Sequence, residues 1–358
     1  MTGVLSALPR QLGLHMPAEW VRHTATWMSW PFDVDDEMWF GYLADVRAEY
    51  AALVRTIAQY ESVSLLLREE EAEAEASAKA ALGSVAGVSF HRIPLDDVWM
   101  RDNGPIFVRR PQSATDGQPN FAYVNWRFNA WGGKYDFERD NLVPERLAPV
   151  LQMPRFEPGI VMEGGSLEVD GQGLCLTTKQ CLLTPTRNPD LSPADLERYL
   201  LDYLGIQRVI WLNDGLEGDH TDGHVDTITR FIGPGSVVTS VTEDRNDANY
   251  TPMQENLQIL RRAVDLKGQA LKVTELPLPK EPLFLPDGTR LPATYANFYF
   301  VNGAVIVPQY GDPNDAKALS LLQGLLPQHK VVGLSSRHII RGGGSFHCLT
   351  QQQPEGSS

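Results

Sequence analysis

A chain of 358 residues with a net charge of −14 is poorly suited to nucleic acid or to an anionic membrane, because phosphate binding needs clustered Lys and Arg. Its 42% hydrophobic and 21% charged residues are ordinary for a globular protein and supply a core without staples. Three cysteines, Cys175, Cys181 and Cys348, are too few and too scattered for a disulfide framework or a zinc ribbon, and an odd number suits a reducing compartment.

Residues 1–16 lack a basic stretch followed by an unbroken apolar run, and no apolar run reaches the length of a membrane span, so a cytoplasmic protein is expected. Met16-Pro17-Ala18-Glu19-Trp20 opens the ordered part. Residues 26–30 alternate like a strand that Pro31 ends. Trp39, Leu43, Val46, Tyr50, Leu53 and Ile57 recur at helical spacing, which predicts a helix over 37–60. Residues 62–67 read as a buried strand, and 69–82 as a surface helix whose charges are a solvated face. Further strands are expected at 106–108, 121–126, on both sides of Glu163, at 207–212, 227–232, 299–301 and 304–307. The last two meet at Asn302-Gly303, a hairpin signal. Ser192 as N-cap and Pro193 at the first helical position start a helix running to 204. Others are expected at 252–264 and from Asp312-Pro313 to 325. The apolar runs 331–334 and 338–340 read as buried strands leading to Arg341-Gly342-Gly343-Gly344-Ser345-Phe346-His347-Cys348.

Asp102, Glu163 and His224 follow one another at intervals of 61 positions, and similar intervals lead to the expected strand Tyr295-Ala296-Asn297 and to Cys348. Each interval holds strands and one helix. A ring of strand-rich units would present one polar residue per unit to a shared centre in this way. Without a linker or composition break, the expectation is one α/β domain over 1–358, ordered over roughly 14–354.

Cys348 follows three glycines and precedes a polar run, which favours a nucleophile over a buried structural thiol. Cys175 and Cys181, inside apolar stretches, read as structural. His347 is a poor partner for the thiol if both lie on a strand, where neighbours face opposite ways. His224 and Asp226, two apart, would share one strand face and serve as acid/base and cation clamp. His220, Asp222, His224 and Asp226 are also potential metal ligands, but their spacing matches no defined zinc or hard-cation site. Asp102 sits where a turn is expected. Glu163, after an apolar run and before two glycines, needs a partner if buried, and a guanidinium would supply it.

Five segments then carry a resemblance: Trp99-Met100-Arg101-Asp102-Asn103-Gly104-Pro105, the run from Phe128-Asn129-Ala130-Trp131 to Tyr135, Glu163-Gly164-Gly165, His224-Val225-Asp226, and residues 342–352. Together they resemble the agmatine deiminase family, related to bacterial peptidylarginine deiminases, over residues 16–354. The resemblance implies a five-bladed α/β propeller of the pentein type with a central active-site channel, a homodimer, and no metal or organic cofactor. It implies hydrolysis of agmatine, a small cationic guanidine, to N-carbamoylputrescine and ammonia through a covalent thiouronium on Cys348. His224 would be the acid/base, Asp102 and Asp226 would hold the guanidinium nitrogens, and Glu163 would be a further carboxylate in the site. Trp99 is an expected wall for the methylene chain. Agmatine's far ammonium calls for an acid, for which Glu217, Asp219 and Asp222 are the candidates. Residues 128–135 and the Gln351-Gln352-Gln353-Pro354 tail favour agmatine over peptidylarginine. The chain departs from the family pattern at Thr227 and at His220, where an acid is frequent. The rival readings are a deiminase of peptidylarginine or free arginine, with Arg127 or Arg230 at the mouth, a thiol protease or amidase, and a metal-binding protein.

Overall fold

The computed structural model describes residues 3–33, 38–111 and 115–356. Local sequence decides where the elements begin and end. The helix Pro193–Leu204 is started by a reciprocal pair: Asp195 N donates to Ser192 Oγ (3.2 Å) and Ser192 N donates to Asp195 Oδ2 (3.1 Å). Leu196, Leu200 and Leu204 bury one face, and Gly205 at φ 74° ends it. The helix expected over 69–82 is shorter, Ala74–Leu82, because only from Ala74 onward do side chains (Ala74, Ala78, Leu82) reach the core. The helix expected over 37–60 is Leu43–Ile57. Its expected first residue, Glu37, lies outside the described residues, and Phe40 (φ 52°) with Gly41 (φ 81°) turns the chain ahead of it.

The strands form five separate mixed sheets. In the first, β1 (His23–Ser29), β2 (Ser62–Arg68) and β3 (Val88–Ile93) run parallel. The next four repeat one plan, an antiparallel pair followed by a strand parallel to its second member. They are β4 (Ile106–Arg109), β5 (Phe121–Val124) and β6 (Arg155–Phe156); then β7 (Glu168–Val169), β8 (Leu174–Thr178) and β9 (Arg208–Leu212). They continue with β10 (Thr229–Gly233), β11 (Ser236–Val241) and β12 (Lys272–Pro277), and end with β13 (Tyr299–Val301), β14 (Ala304–Gln309) and β15 (Lys330–Ser335). A parallel step needs a crossover, and the helices Pro193–Leu204, Tyr250–Arg262 and Asp315–Leu325 supply it in the last three sheets. The last strand, β16 (Gln351–Pro354), returns to pair antiparallel with β1, Trp27 opposite Gln351.

Two expected strands are turns, and a third is less buried than expected. Residues 338–340 belong to the 3-10 turn Ile339–Gly342, with both isoleucines buried. β15 is a partly exposed edge strand, not a buried one. Tyr295-Ala296-Asn297 is a turn leading into β13. Ahead of β1, Val4 bridges to Arg155 and His15 to Arg109, so the N-terminal segment is tied to the second sheet.

Candidate active site

Cys348 lies in a turn at the foot of a cavity of about 570 Å³, which Trp99, Asp102, Trp131 and Gly342 to Gly344 also line. The glycine run lets the loop pass close over the thiol. A Cβ on Gly344 would lie 3.2 Å from Cys348 Sγ and 2.7 Å from the Trp99 ring. The Asn297 amide donates to the sulfur (3.2 Å) and to Asp226 Oδ2 (3.3 Å), and the thiol reaches the same carboxylate oxygen at 3.6 Å.

Asp102 and His224 come from opposite sides and meet at Gly165. Asp102 ends the first turn of the short helix Met100–Asn103, where Gly165 N donates to its Oδ1 and Trp131 Nε1 to its Oδ2, both at 2.9 Å. Trp131 achieves this from a left-handed backbone (φ 55°), a strain of the kind that clusters at functional sites. His224 Nδ1 is 3.7 Å from Asp102 Oδ1. A Cβ on Gly165 would sit 2.5 Å from His224 Nδ1, 2.8 Å from Asp102 Oδ1 and 3.1 Å from Asp226 Oδ2. Only glycine lets the three groups converge. His224 and Asp226 do converge, but not as alternate residues of a strand: Val225–Thr227 is a 3-10 turn, and β10 starts only at Thr229.

Behind His224 lies Glu163, fully buried, whose Oε2 is 3.9 Å from His224 Nε2 and whose Oε1 accepts from Arg187 Nε at 2.7 Å. The guanidinium that Glu163 needed is therefore Arg187, and Glu163 faces the imidazole. Cys181, read as structural, is in the same layer, its sulfur 3.9 Å from Glu163 Oε2. Glu163, Cys181 and His224 are the group among the described residues whose donor atoms lie within 4.8 Å of one another. Arg187 already occupies Glu163, so this donor set does not suit a cation. The potential ligands His220, Asp222, His224 and Asp226 are dispersed instead: His220 Nδ1 meets the Tyr135 hydroxyl (3.1 Å), and Asp222 accepts from Lys134 (2.6 Å) and Arg187 (2.7 Å).

His347 occupies a position that the strand argument excluded. Because the chain turns here, its Nδ1 lies 2.7 Å from Asp226 Oδ2 and its Nε2 2.6 Å from Glu19 Oε2. Glu19 in turn pairs with Arg230 (2.8 Å) and Arg101 (3.5 Å). A buried chain thus runs from the sulfur through Asp226 and His347 to Glu19. Arg230 is fully buried against Glu168 and Glu19, and neither it nor Arg127 lines the cavity.

Of the acids expected at the far end, none lines the cavity. Asp219 accepts from Thr221 N (2.9 Å), Thr221 Oγ1 (2.6 Å) and His224 N (3.2 Å), fixing the His224 loop. Asp222 is neutralised by Lys134 and Arg187, and the Glu217 side chain is exposed outside the cavity. Asp97 and Asp136, on the other wall, line it instead.

These surroundings set the charges. Burial pushes the Cys348 thiol well up, and the Asp226 and Asp102 carboxylates push the same way. Burial also raises Asp102, to about 6, against the opposing pull of His224. At Asp226 burial is overcome by the hydrogen bond and charge of His347, and then by His224 and Arg230, so its carboxyl sits below the usual range. Burial acts to discharge His224, yet Asp102, Cys181 and Glu163 outweigh it and hold the imidazole well above its ordinary value. Asp226 Oδ1 and both His224 ring nitrogens are buried without a hydrogen-bond partner. Such orphans are costly and point to a ligand that completes them.

A model of the Porphyromonas-type peptidyl-arginine deiminase family matches residues 15–354. The chain belongs to this family. Members similar to it include the agmatine deiminase of Stutzerimonas stutzeri, 40% identical over 98% of each chain, and that of Pseudomonas aeruginosa, 39% identical over 98% of each. Among solved structures it is similar to the agmatine deiminase of Enterococcus faecalis, with a TM-score of 0.90, 33% identity, and 99% and 100% of the two chains covered. An agmatine deiminase of C. jejuni with substrate bound covers 96% of this chain and 97% of its own at 31% identity and a TM-score of 0.85. The N-terminal domain of ArgZ, a cyanobacterial arginine dihydrolase, shares the fold at 14% identity with a TM-score of 0.52. The α/β fold with mixed sheets is thus that of the deiminase family, and among the described residues no helix is long and apolar enough to cross a membrane.

Proposed function

We propose that the protein hydrolyses the guanidinium of agmatine to N-carbamoylputrescine and ammonia. The observation that carries this is the convergence of one thiol, two carboxylates and one imidazole at the foot of a cavity that Cys348 and Asp102 line, with Asp226 Oδ1 and both His224 ring nitrogens left without partners. A planar cation with a fork of N–H donors is the complement of Asp102 and Asp226.

The free site holds two carboxylates beside a thiol that burial keeps protonated. Binding a guanidinium between Asp102 and Asp226 cancels the charge that opposes thiolate formation, so substrate activates its own nucleophile. The thiol releases its proton to solvent as the cation binds, and the Cys348 sulfur then bonds to the guanidinium carbon. As the tetrahedral centre collapses, one C–N bond breaks and the charged His224 imidazole gives its proton to the departing nitrogen as ammonia. The neutral imidazole next takes a proton from water as its oxygen attacks the thiouronium carbon. The C–S bond breaks, the sulfur takes back its electron pair and the remaining proton of the added hydroxyl, and the ureido product leaves. Glu163, Cys181 and Arg187 hold His224 from behind, and His347 holds Asp226. Trp99 walls the methylene chain, and Asp97 or Asp136 receives the far ammonium.

The five sheets of like plan, with β16 closing onto β1, support a five-bladed propeller forming one domain, with the site at its centre. A homodimer in the cytoplasm belongs to the same reading, and three free cysteines suit that compartment. Ammonia release from agmatine, free arginine and a peptidylarginine, by wild type and Cys348→Ala, tests the reaction. Turnover that vanishes in the variant supports it. No ammonia from any of them sinks it and favours a thiol hydrolase, and light scattering checks the dimer.

A further inference from the structure

Beyond Cys348 the cavity opens toward a mouth of mixed charge, and the glycine loop measures the distance. Gly344 backs onto Cys348 and Trp99, Gly343 onto the His220 ring, and Gly342 onto Trp39 and Trp99. The next residue, Arg341, lines the same cavity. Three residues of chain span at most about 10 Å. A guanidine held at the thiol with three or four methylenes behind it therefore brings its far end into the neighbourhood of Arg341.

Three arginines line the mouth, and their states differ. Arg139 is neutralised by Asp96 and Glu70, both at 3.2 Å. Arg68 lies 3.6 Å from Glu70 and over the Phe32 ring. Arg341 has no carboxylate partner among the described residues. Its guanidinium lies over the Tyr42 ring at 3.9 Å, and its Nε and Nη1 are buried without a hydrogen-bond partner. Stacking on the aromatic face fixes the plane of the fork but satisfies none of its N–H groups. An unneutralised, partly desolvated fork in a concave site is complementary to a carboxylate, which takes two parallel hydrogen bonds from it. The acids the sequence offered for a distal ammonium, Glu217, Asp219 and Asp222, do not line this mouth, whereas His220, Asp97 and Asp136 do.

We propose that Arg341 receives a carboxylate, so that the protein deiminates guanidino acids, molecules with a guanidinium at one end and a carboxylate at the other, in addition to agmatine. The chemistry at Cys348 is unchanged; only the far end of the substrate differs. Where the substrate also bears an α-ammonium, as in arginine, Asp97 and Asp136 line the same mouth. The inference rests on the deiminase reading above.

The test compares kcat/KM by ammonia release for agmatine, L-arginine and 4-guanidinobutyrate, in wild type, Arg341→Gln and Arg341→Lys. Wild type is expected to turn over 4-guanidinobutyrate. Arg341→Gln should lower kcat/KM for both carboxylates by roughly 10- to 100-fold, the scale of a charge-assisted hydrogen bond. It should raise that for agmatine about two- to five-fold as like-charge repulsion is relieved. Arg341→Lys should fall between, because it keeps the charge and loses the fork. Circular dichroism and thermal melting confirm that each variant is folded. Agmatine turnover without either carboxylate overturns the inference and leaves the deiminase reading standing. A loss in Arg341→Gln equal for all three substrates also overturns it. No turnover of any guanidine by folded wild type overturns both.

Discussion

Asp226 and Asp102 flank the same thiol, both are buried, and they are held in opposite ways. Asp226 leans on His347, which Glu19 and Arg230 back in turn, and it stays ionised below the usual carboxylate range. Asp102 leans on an indole N–H and a backbone N–H, and burial lifts it to about 6. One carboxylate keeps its charge well into the acid range, while the other gives its charge up as the pH falls to about 6. A site built this way recognises a guanidinium on one side with a fixed charge and on the other with a responsive one. Two fixed charges would hold the thiol protonated more strongly still, and two responsive ones would attract the cation weakly.

The comparison collapses altogether if the atom between the two carboxylates is removed. Cys348→Ser is expected to lower kcat by about 10⁴-fold or more, while calorimetry still detects agmatine binding to the two carboxylates. Loss of binding along with turnover would show that the thiol, not the carboxylate pair, anchors the substrate.

Next in size, Asp226→Asn and Asp102→Asn each remove one side of the clamp. Both should lower kcat/KM by roughly 30- to 5,000-fold, the range for stripping one partner from a desolvated charge pair. They should separate on stability. Asp226→Asn leaves His347 with a lost partner in the buried network and costs about 3 kcal/mol or more, whereas Asp102→Asn removes a charge that burial already penalises. Equal losses of melting temperature would mean that the two residues are held alike.

His347→Gln sharpens the contrast without touching substrate. Asp226 then loses the group that holds it down, its carboxyl rises toward that of Asp102, and the acid limb of kcat/KM steepens, with about tenfold extra loss near pH 5 and little at pH 7. In wild type that limb should lie near pH 6, where Asp102 ionises. A His347→Gln profile lowered uniformly, with its limb no steeper, would reduce His347 to a packing role.

The smallest effect is on unliganded stability. Asp102 (about 6), Asp140 (about 7) and Asp97 have carboxyls raised chiefly by burial, above the unfolded value near 3.9. The stability they contribute is complete below that value and is lost as pH climbs through 6 to 7. His224, also raised, loses its share above the unfolded value near 6.5. Asp226, Glu19 and Glu163 are depressed, so their share is present above about 4 and lost at lower pH. The melting temperature should therefore peak between about pH 4 and 6 and fall by a few degrees toward pH 8. Agmatine should reverse that fall by stabilising the ionised form of Asp102.

The sequence exposed the parts of this site whose chemistry is unusual for their local setting. A cysteine after three glycines and an aspartate beside Trp-Met-Arg end in one cavity, and a glutamate after an apolar run lies behind it against His224. The recurrent spacing of polar residues pointed as far as Asn297, 73 positions after His224, whose amide touches the sulfur, although no role was read for it. What stayed hidden depended on backbone conformation. His347 was set aside by strand geometry, and a turn reverses that geometry. Cys181 looked structural because its neighbours are apolar, and nothing local shows that the far side of its short helix faces His224. Glu19 and Arg187, remote in sequence from what they support, had no local signal. The distal acids failed for a related reason: proximity to His224 along the chain was read as proximity to the ligand, whereas Asp219 and Asp222 are spent on shaping the loop that carries it.

β16 begins three residues after Cys348 and pairs with β1, the first strand of the chain. Cys348 is therefore placed by the pairing of β16 with β1, a contact of very long sequence separation and hence slow to form. During synthesis every other member of the site emerges before it, and Asp102, Glu163, His224 and Asp226 wait without their thiol. A nascent or C-terminally clipped chain can fold most of its sheets and gather its acids while remaining chemically silent. Reactivity is expected only once β16 has paired with β1.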